Sequence, residues 1–321
     1  MGVSSVLSSS HVLKRSQWRI PPVLALAALL VPARLPARTP TEDGLVYGTA
    51  AGEKLTMDYY APKGRPRHPV AIIIHGGGYV AGNSKNGSEA YCADFLAPAG
   101  YAVFSINYRL APKYPYPAMV QDVQRAIRYI RFHAPAWDAD PNKIVLVGGS
   151  AGGFLSNMVG LLNARAMEDA NDPVDRESAQ VQAVVTLFGP SDFRTDPLTE
   201  HTHALLDPLI AQKGQAAALA EASPITHVSD TAPPFLLIHG DKDEAVPFAQ
   251  SVMLQRALQA EGVRCDLIRI PNGPHATGSW YKVPGVPDWE RKMTEWLNDV
   301  LGHKGPVGEG IHPRAPEQLA K

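Results

Sequence analysis

Cysteine is scarce. The chain of 321 residues holds two, Cys92 and Cys265, too few for a disulfide framework and too few for a zinc site on their own. No run of like charge occurs, and 30 basic against 31 acidic residues leave a formal charge of −1, which excludes an electrostatic nucleic-acid binder. The apolar stretch near the N-terminus, Ile20 to Val31, is well short of the ~20 residues a bilayer demands, so no stable membrane partner is expected. Neither G-x-G-x-x-G nor a G-K-[ST] loop appears, and internal repeats are absent. The nearest thing to a metal constellation, His201-Thr202-His203, lacks a third ligand, so no metal and no cofactor are expected.

What is present describes an ordinary globule. Apolar residues at 45% and charged residues at 19% rule out wholesale disorder. The 29 prolines are nearly twice the usual share of ~5%, which points to ordered loops and sharp element boundaries. Lys14, Arg15 and Arg19 precede the apolar stretch, and small residues follow at Val31-Pro32-Ala33 and Leu35-Pro36-Ala37. That order fits a signal peptide, so residues 1–40 are expected to be signal peptide and linker, and the protein secreted or periplasmic. Residues 303–321, rich in Gly, Pro and charge, are expected to form a disordered tail, leaving 41–302 as the folded domain.

Within that domain, short apolar runs alternate with amphipathic stretches. Val70–Ile74, Ala102–Ile106, Ile144–Val147, Val181–Leu187, Phe235–Ile238 and Leu267–Ile270 read as strands buried on both faces. Leu55–Tyr60 alternates and reads as an early antiparallel strand. Helices are expected along the Met119, Val123, Ile127, Ile130 stripe, from Pro247 to Gly262, and from Asp288 to Leu301. The fold class is therefore α/β, with a mostly parallel, doubly wound sheet covered by helices on both faces. Residues 190–234 break the alternation as a polar insertion, with one helix-like patch from Ala204 to Ala222. The expected placement is a small lid over the C-terminal ends of the strands. Cys92 falls in an expected helix and Cys265 at a strand start, so two separate buried thiols are expected.

Two motifs carry chemistry. Gly148-Gly149-Ser150-Ala151-Gly152 follows one strand and opens a helix, the context that a G-x-S-x-G nucleophile elbow requires. The flanking glycines let strand and helix approach while the Ser150 hydroxyl stays exposed, and the helix N-terminus favours a developing oxyanion. The competing reading is a glycine-rich turn that grips a phosphate. His75-Gly76-Gly77-Gly78 follows the strand Val70–Ile74. Its Gly76 and Gly77 amides, with that of Ala151, would form an oxyanion hole, and His75 would anchor the loop as a buried, hydrogen-bonded residue.

These motifs, together with Asn107-Tyr108-Arg109-Leu110-Ala111-Pro112, resemble the α/β-hydrolase fold, in its hormone-sensitive-lipase-like and feruloyl/acetyl-xylan esterase branches. Gly149 and Asn107 stand where the lipase-like branch has Asp, and no N-terminal helical cap is expected. The resemblance is thus closer to the capless polysaccharide-acyl esterases. It implies a serine carboxylester hydrolase acting on short-chain or carbohydrate-linked acetyl or feruloyl esters through an acyl-enzyme. The alternative is an amide hydrolase of arylformamidase-like or peptidase-like kind. It implies Ser150 as nucleophile, Asp243 as the orienting acid, with Asp192 the main rival and Asp241 shaping its loop, and His275, after the last strand, as base. Tyr79, Tyr114 and Trp280 lie near the motifs as candidate substrate-binding residues. The expected partner is a small-molecule or polysaccharide ester; the sequence does not define an oligomeric state.

Overall fold

The computed structural model describes residues 38–64, 66–85, 90–195 and 198–307, all within one compact unit. Eight strands form one sheet: β1 (Glu42–Ala50), β2 (Glu53–Tyr60), β3 (His68–Ile74), β4 (Ala102–Ile106), β5 (Ala139–Gly149), β6 (Ala183–Leu187), β7 (Phe235–Gly240) and β8 (Cys265–Ile270). Their spatial order is β1-β2-β4-β3-β5-β6-β7-β8, antiparallel across β1, β2 and β4 and parallel from there on. Alternate residues of each central strand enter opposite cores: Ile72, Ile74, Leu146 and Val184 one, Ala71, Ile73, Val145, Val147 and Val185 the other. Both faces are covered, which is why these segments read as unbroken apolar runs.

Helices α2 (Ala118–His133), α3 (Ala151–Leu162) and α6 (Ala249–Ala260) contribute to the first core; α1 (Cys92–Leu96), α7 (Thr277–Trp280) and α8 (Trp289–Leu301) contribute to the second. Both cysteines are buried and free, as expected. The three arginines beside the apolar stripe of α2 serve as struts: Arg125 bonds the Tyr47 carbonyl, Arg128 that of Glu177, and Arg131 those of Pro141 and Gln180.

Three features differ from the sequence reading. Strand β1 was not expected: it is an edge strand with Tyr47 as its one buried side chain, so it lacks the alternation that marks β2. It joins β2 through Ala51-Gly52, both at positive φ (51° and 80°), the geometry of a two-residue hairpin. The insertion holds two helices, α4 (Glu200–Lys213) and α5 (Gln215–Ala222), divided at Gly214. Leu205, Leu206, Leu209, Ala218, Leu219 and Ala222 turn inward, so the polar residues that dominate its sequence are an outer surface over an apolar underside. Finally, the first residues of the expected tail are held. His303 packs edge-on against Tyr101 (5.2 Å) and bonds the Ala99 carbonyl, and Asn298 bonds the Gly305 carbonyl. The remainder of the tail, from 308, and the signal-like segment lie outside the described residues.

Candidate active site

Ser150 stands alone between β5 and α3, at φ 54° and ψ −120°. That backbone is strained for any residue with a Cβ, and its neighbours hold it there. The Ser150 amide bonds the Leu187 carbonyl on β6. A Cβ on Gly148 would lie 2.2 Å from the Gly152 carbonyl oxygen, so only glycine lets strand and helix meet this closely. Tyr79, Phe188 and Ala276 also have positive φ (70°, 42° and 91°). Each adjoins a site element: the glycine loop after β3, the end of β6 and the histidine loop after β8. Strain of this kind concentrates where geometry is over-determined.

The Ser150 hydroxyl donates to His275 Nε2 at 3.0 Å, and His275 Nδ1 donates to Asp243 Oδ2 at 2.7 Å. Asp243 Oδ1 accepts the amides of Ala245 and Val246 at 2.9 and 2.8 Å. The Asp243 side chain is fully buried, whereas that of His275 keeps 27% of its surface exposed. Burial pushes the Asp243 pKa up, but the bonds from His239, His275 and Val246 outweigh it and hold the carboxyl well below the usual range. The three side chains thus form one hydrogen-bonded chain, brought together from the ends of β5, β7 and β8.

The rival acid Asp192 and the loop-shaping Asp241 lie elsewhere. Asp192 is clamped by its own Arg194 at 2.8 Å, and Asp241 accepts the Asn272 amide at 2.7 Å and the Arg269 guanidinium. Asp241 therefore pins the turn that presents His275 without touching it.

The loop after β3 curls tightly: the amides of Val80 and Ala81 both bond the Gly77 carbonyl. Gly77 has φ 116°, and a Cβ there would meet the Ala81 carbonyl oxygen at 2.2 Å. Ala151 is the first residue of α3, where amides have no partner within the helix. His75 is buried beneath, stacked on Tyr108 at 4.3 Å, with Nδ1 bonded to the Gly76 carbonyl. Tyr108 in turn bonds the His75 carbonyl, and Asn107 bonds Ser84, so the Asn107–Tyr108 segment braces both ends of the loop.

The candidate substrate-binding residues fare unevenly. Tyr79 is 4% exposed and packs edge-on against Phe154 and Phe193, forming a wall behind the glycine loop. Tyr114 opens onto a separate cleft of about 350 Å³ lined with Glu53, Arg109 and Lys113, and its hydroxyl bonds Glu53. Trp280 is a correction: with no exposed surface it cannot meet a ligand, and instead backs the histidine loop through Phe188 (5.5 Å) and a bond to the Pro274 carbonyl.

Two contacts had no signal in the sequence. Phe188, at the end of β6, sets its ring edge-on to His275 at 4.6 Å. His201, the second residue of α4, lies over the glycine loop, so close that a Cβ on Gly78 would fall 2.5 Å from its Nδ1. Its position depends on how the insertion folds back, which spacing does not reveal. Among the described residues no cluster could hold a metal ion, and no helix is long and apolar enough to cross a membrane.

The sheet order, the strained serine between strand and helix, and an acid and a histidine in the loops after the last two strands define an α/β-hydrolase. Residues 57–258 match the BD-FAE family model, and the chain belongs to that family. It is 32% identical to esterase LipQ of Mycobacterium tuberculosis over 80% of this chain and 61% of that protein. The acetyl ester-xyloside bifunctional hydrolase of Caldicellulosiruptor lactoaceticus superposes with a TM-score of 0.72 at 25% identity, covering 83% of this chain and 99% of that one. A truncated carbohydrate esterase from gut microbiota gives a TM-score of 0.67 at 28% identity, covering 81% of this chain and 96% of that one. The chain spans 43% to 61% of the length of the curated relatives it matches first.

Proposed function

We propose that the chain is a serine carboxylester hydrolase that acts through an acyl-enzyme on short-chain acyl or carbohydrate-linked esters. The observation that carries this reading is the Ser150–His275–Asp243 chain at 3.0 and 2.7 Å, built on a strained elbow. Ser150 Oγ attacks the ester carbonyl while His275 Nε2 takes its proton; Asp243 holds the imidazole in the Nδ1–H tautomer and stabilises its cation. The Gly76, Gly77 and Ala151 amides receive the oxyanion, and each such donor is worth ~3 kcal/mol of barrier. Collapse breaks the bond to the alcohol, which leaves with the proton from His275. Water, deprotonated by His275, then releases the acid and restores Ser150.

The ester reading is preferred to the amide one because the relative and the solved structures named above all carry ester-hydrolase names. The carbohydrate part of the reading rests on the two structural neighbours. Export to the periplasm or medium is proposed from the signal-like residues 14–37 alone. A panel of p-nitrophenyl esters from acetyl to dodecanoyl, with acetylated xylan, methyl ferulate and an anilide, tests the reading. Acetyl to butyryl esters should give the highest kcat/KM. Faster turnover of the anilide, or kcat/KM that keeps climbing to dodecanoyl, would overturn it.

A further inference from the structure

The Asp243 carboxylate has a second histidine. His239, on β7, is fully buried, and its Nε2 lies 3.3 Å from the same Oδ2 that receives His275 Nδ1. His239 Nε2 also bonds the Val246 carbonyl at 2.9 Å, while Nδ1 meets the Ser251 hydroxyl of α6 at 2.7 Å. Two acceptors face Nε2, so Nε2 carries the proton, and Nδ1 accepts from Ser251. The ring is thereby fixed with Nε2–H as a donor toward Asp243 and Val246. Phe188 and Phe248 flank it edge-on, uncharged, at 6.5 and 5.6 Å, leaving Asp243 as the charged group against it.

We propose that His239 is a positioning residue for the hydrolytic reaction: its Nε2–H shares Asp243 Oδ2 with His275, fixing the carboxylate's rotation and tempering the charge that His275 feels. This rests on the reading of Ser150, His275 and Asp243 given above. The physical consequence has a definite sign. A carboxylate that donates electron density to two N–H groups offers less to each. Remove the second donor, and Asp243 stabilises the His275 cation more strongly, so His275 holds its proton to higher pH. The free base needed for attack then appears later as pH rises, and the carboxylate is freer to rotate off Nδ1.

The experiment compares His239→Leu, which deletes the donor, with His239→Gln, whose amide restores an N–H at similar reach. The leucine variant should lose on the order of tenfold in kcat, the rate equivalent of one hydrogen bond to a charged group, with KM unchanged. The acid limb of its kcat/KM profile should move to higher pH, and the glutamine variant should recover much of both. A merely structural histidine would lower thermal stability and leave the limb where it is; that outcome, or wild-type kcat in the leucine variant, overturns the proposal. Should His239→Leu fail to fold, Ser251→Ala loosens the ring from its other side: a few-fold fall in kcat supports the proposal and an unchanged kcat and limb refute it. Ser150→Ala is measured alongside. If it stays active the hydrolytic reading itself fails, whereas inactive Ser150→Ala with unaffected His239 variants defeats this inference alone.

Discussion

Gly152 sits so tightly against Ile74 that a methyl group on its Cα would lie 2.0 Å from the Ile74 carbonyl oxygen. The contact joins the first turn of α3 to the end of β3, and thereby sets the distance between the serine elbow and the glycine loop. Neither partner can yield by moving a side chain. Gly152→Ala should therefore destabilise the fold by about 3 kcal/mol or more, at the upper end of overpacking effects. Hydrolysis should fall further than the loss of folded protein explains. Urea midpoints and kcat on p-nitrophenyl acetate measure both, and near-wild-type stability would show that the two segments can part.

The strain at Ser150 gives a second prediction, in which stability and activity move in opposite directions. At φ 54° and ψ −120°, glycine is relaxed and both serine and alanine are not. Ser150→Ala should lower kcat at least ~10³-fold with little change in thermal midpoint. Ser150→Gly should be equally inactive yet more stable than Ser150→Ala by about 1 kcal/mol, after the added flexibility of the unfolded chain is discounted. An alanine variant as stable as the glycine variant would mean that the elbow is not strained.

His75 makes stability depend on pH in a defined window. Burial pushes its pKa down from 6.5 to about 4, against the opposing bond to the Gly76 carbonyl. The unfolded chain takes up a proton near 6.5; the folded one resists until about 4. The neutral ring's contribution is therefore whole above the first value and is lost as pH falls toward the second, to a limit of roughly 3 kcal/mol. His75→Asn should flatten the pH dependence of the urea midpoint across this window by close to one proton. Parallel curves for the two proteins would contradict it.

His201 and Gly78 should be energetically coupled. Gly78→Ala alone drives a methyl group into the His201 ring, in addition to the penalty of φ 60° for alanine. His201→Ala removes the obstacle and leaves the backbone penalty. The double variant should be more stable than the sum of the singles by about 1 kcal/mol, as contacting residues in such cycles are. Strict additivity would place the histidine elsewhere in solution. The same cycle read on kcat/KM tells whether α4 touches the substrate's leaving group.

The parts of the molecule legible in the sequence are those in which one residue type has one physical use. Val70–Ile74 and Ile144–Val147 are apolar throughout because both sheet faces are covered, and the glycines around Ser150 are there because nothing larger fits. Strand β1 was opaque because edge strands need no apolar alternation, and the insertion because its inward leucines are spaced among charges. Trp280 shows the limit from the other side. Proximity in sequence to His275 suggested a substrate-binding role, while the turn between them directs the indole into the core. The pairing of His239 with Asp243 was out of reach, since a residue near the end of a strand and one in the loop after it reveal nothing about which way their side chains converge.

The base comes from β8, at the far edge of the sheet and latest of the strands in the chain. The nucleophile and the acid precede it in the chain, in the turns after β5 and β7. A chain cut before β8 carries Ser150 and Asp243 but no base to draw the proton from the hydroxyl. Under the proposed chemistry, hydrolysis is therefore a report on whether the C-terminal edge of the sheet is in place.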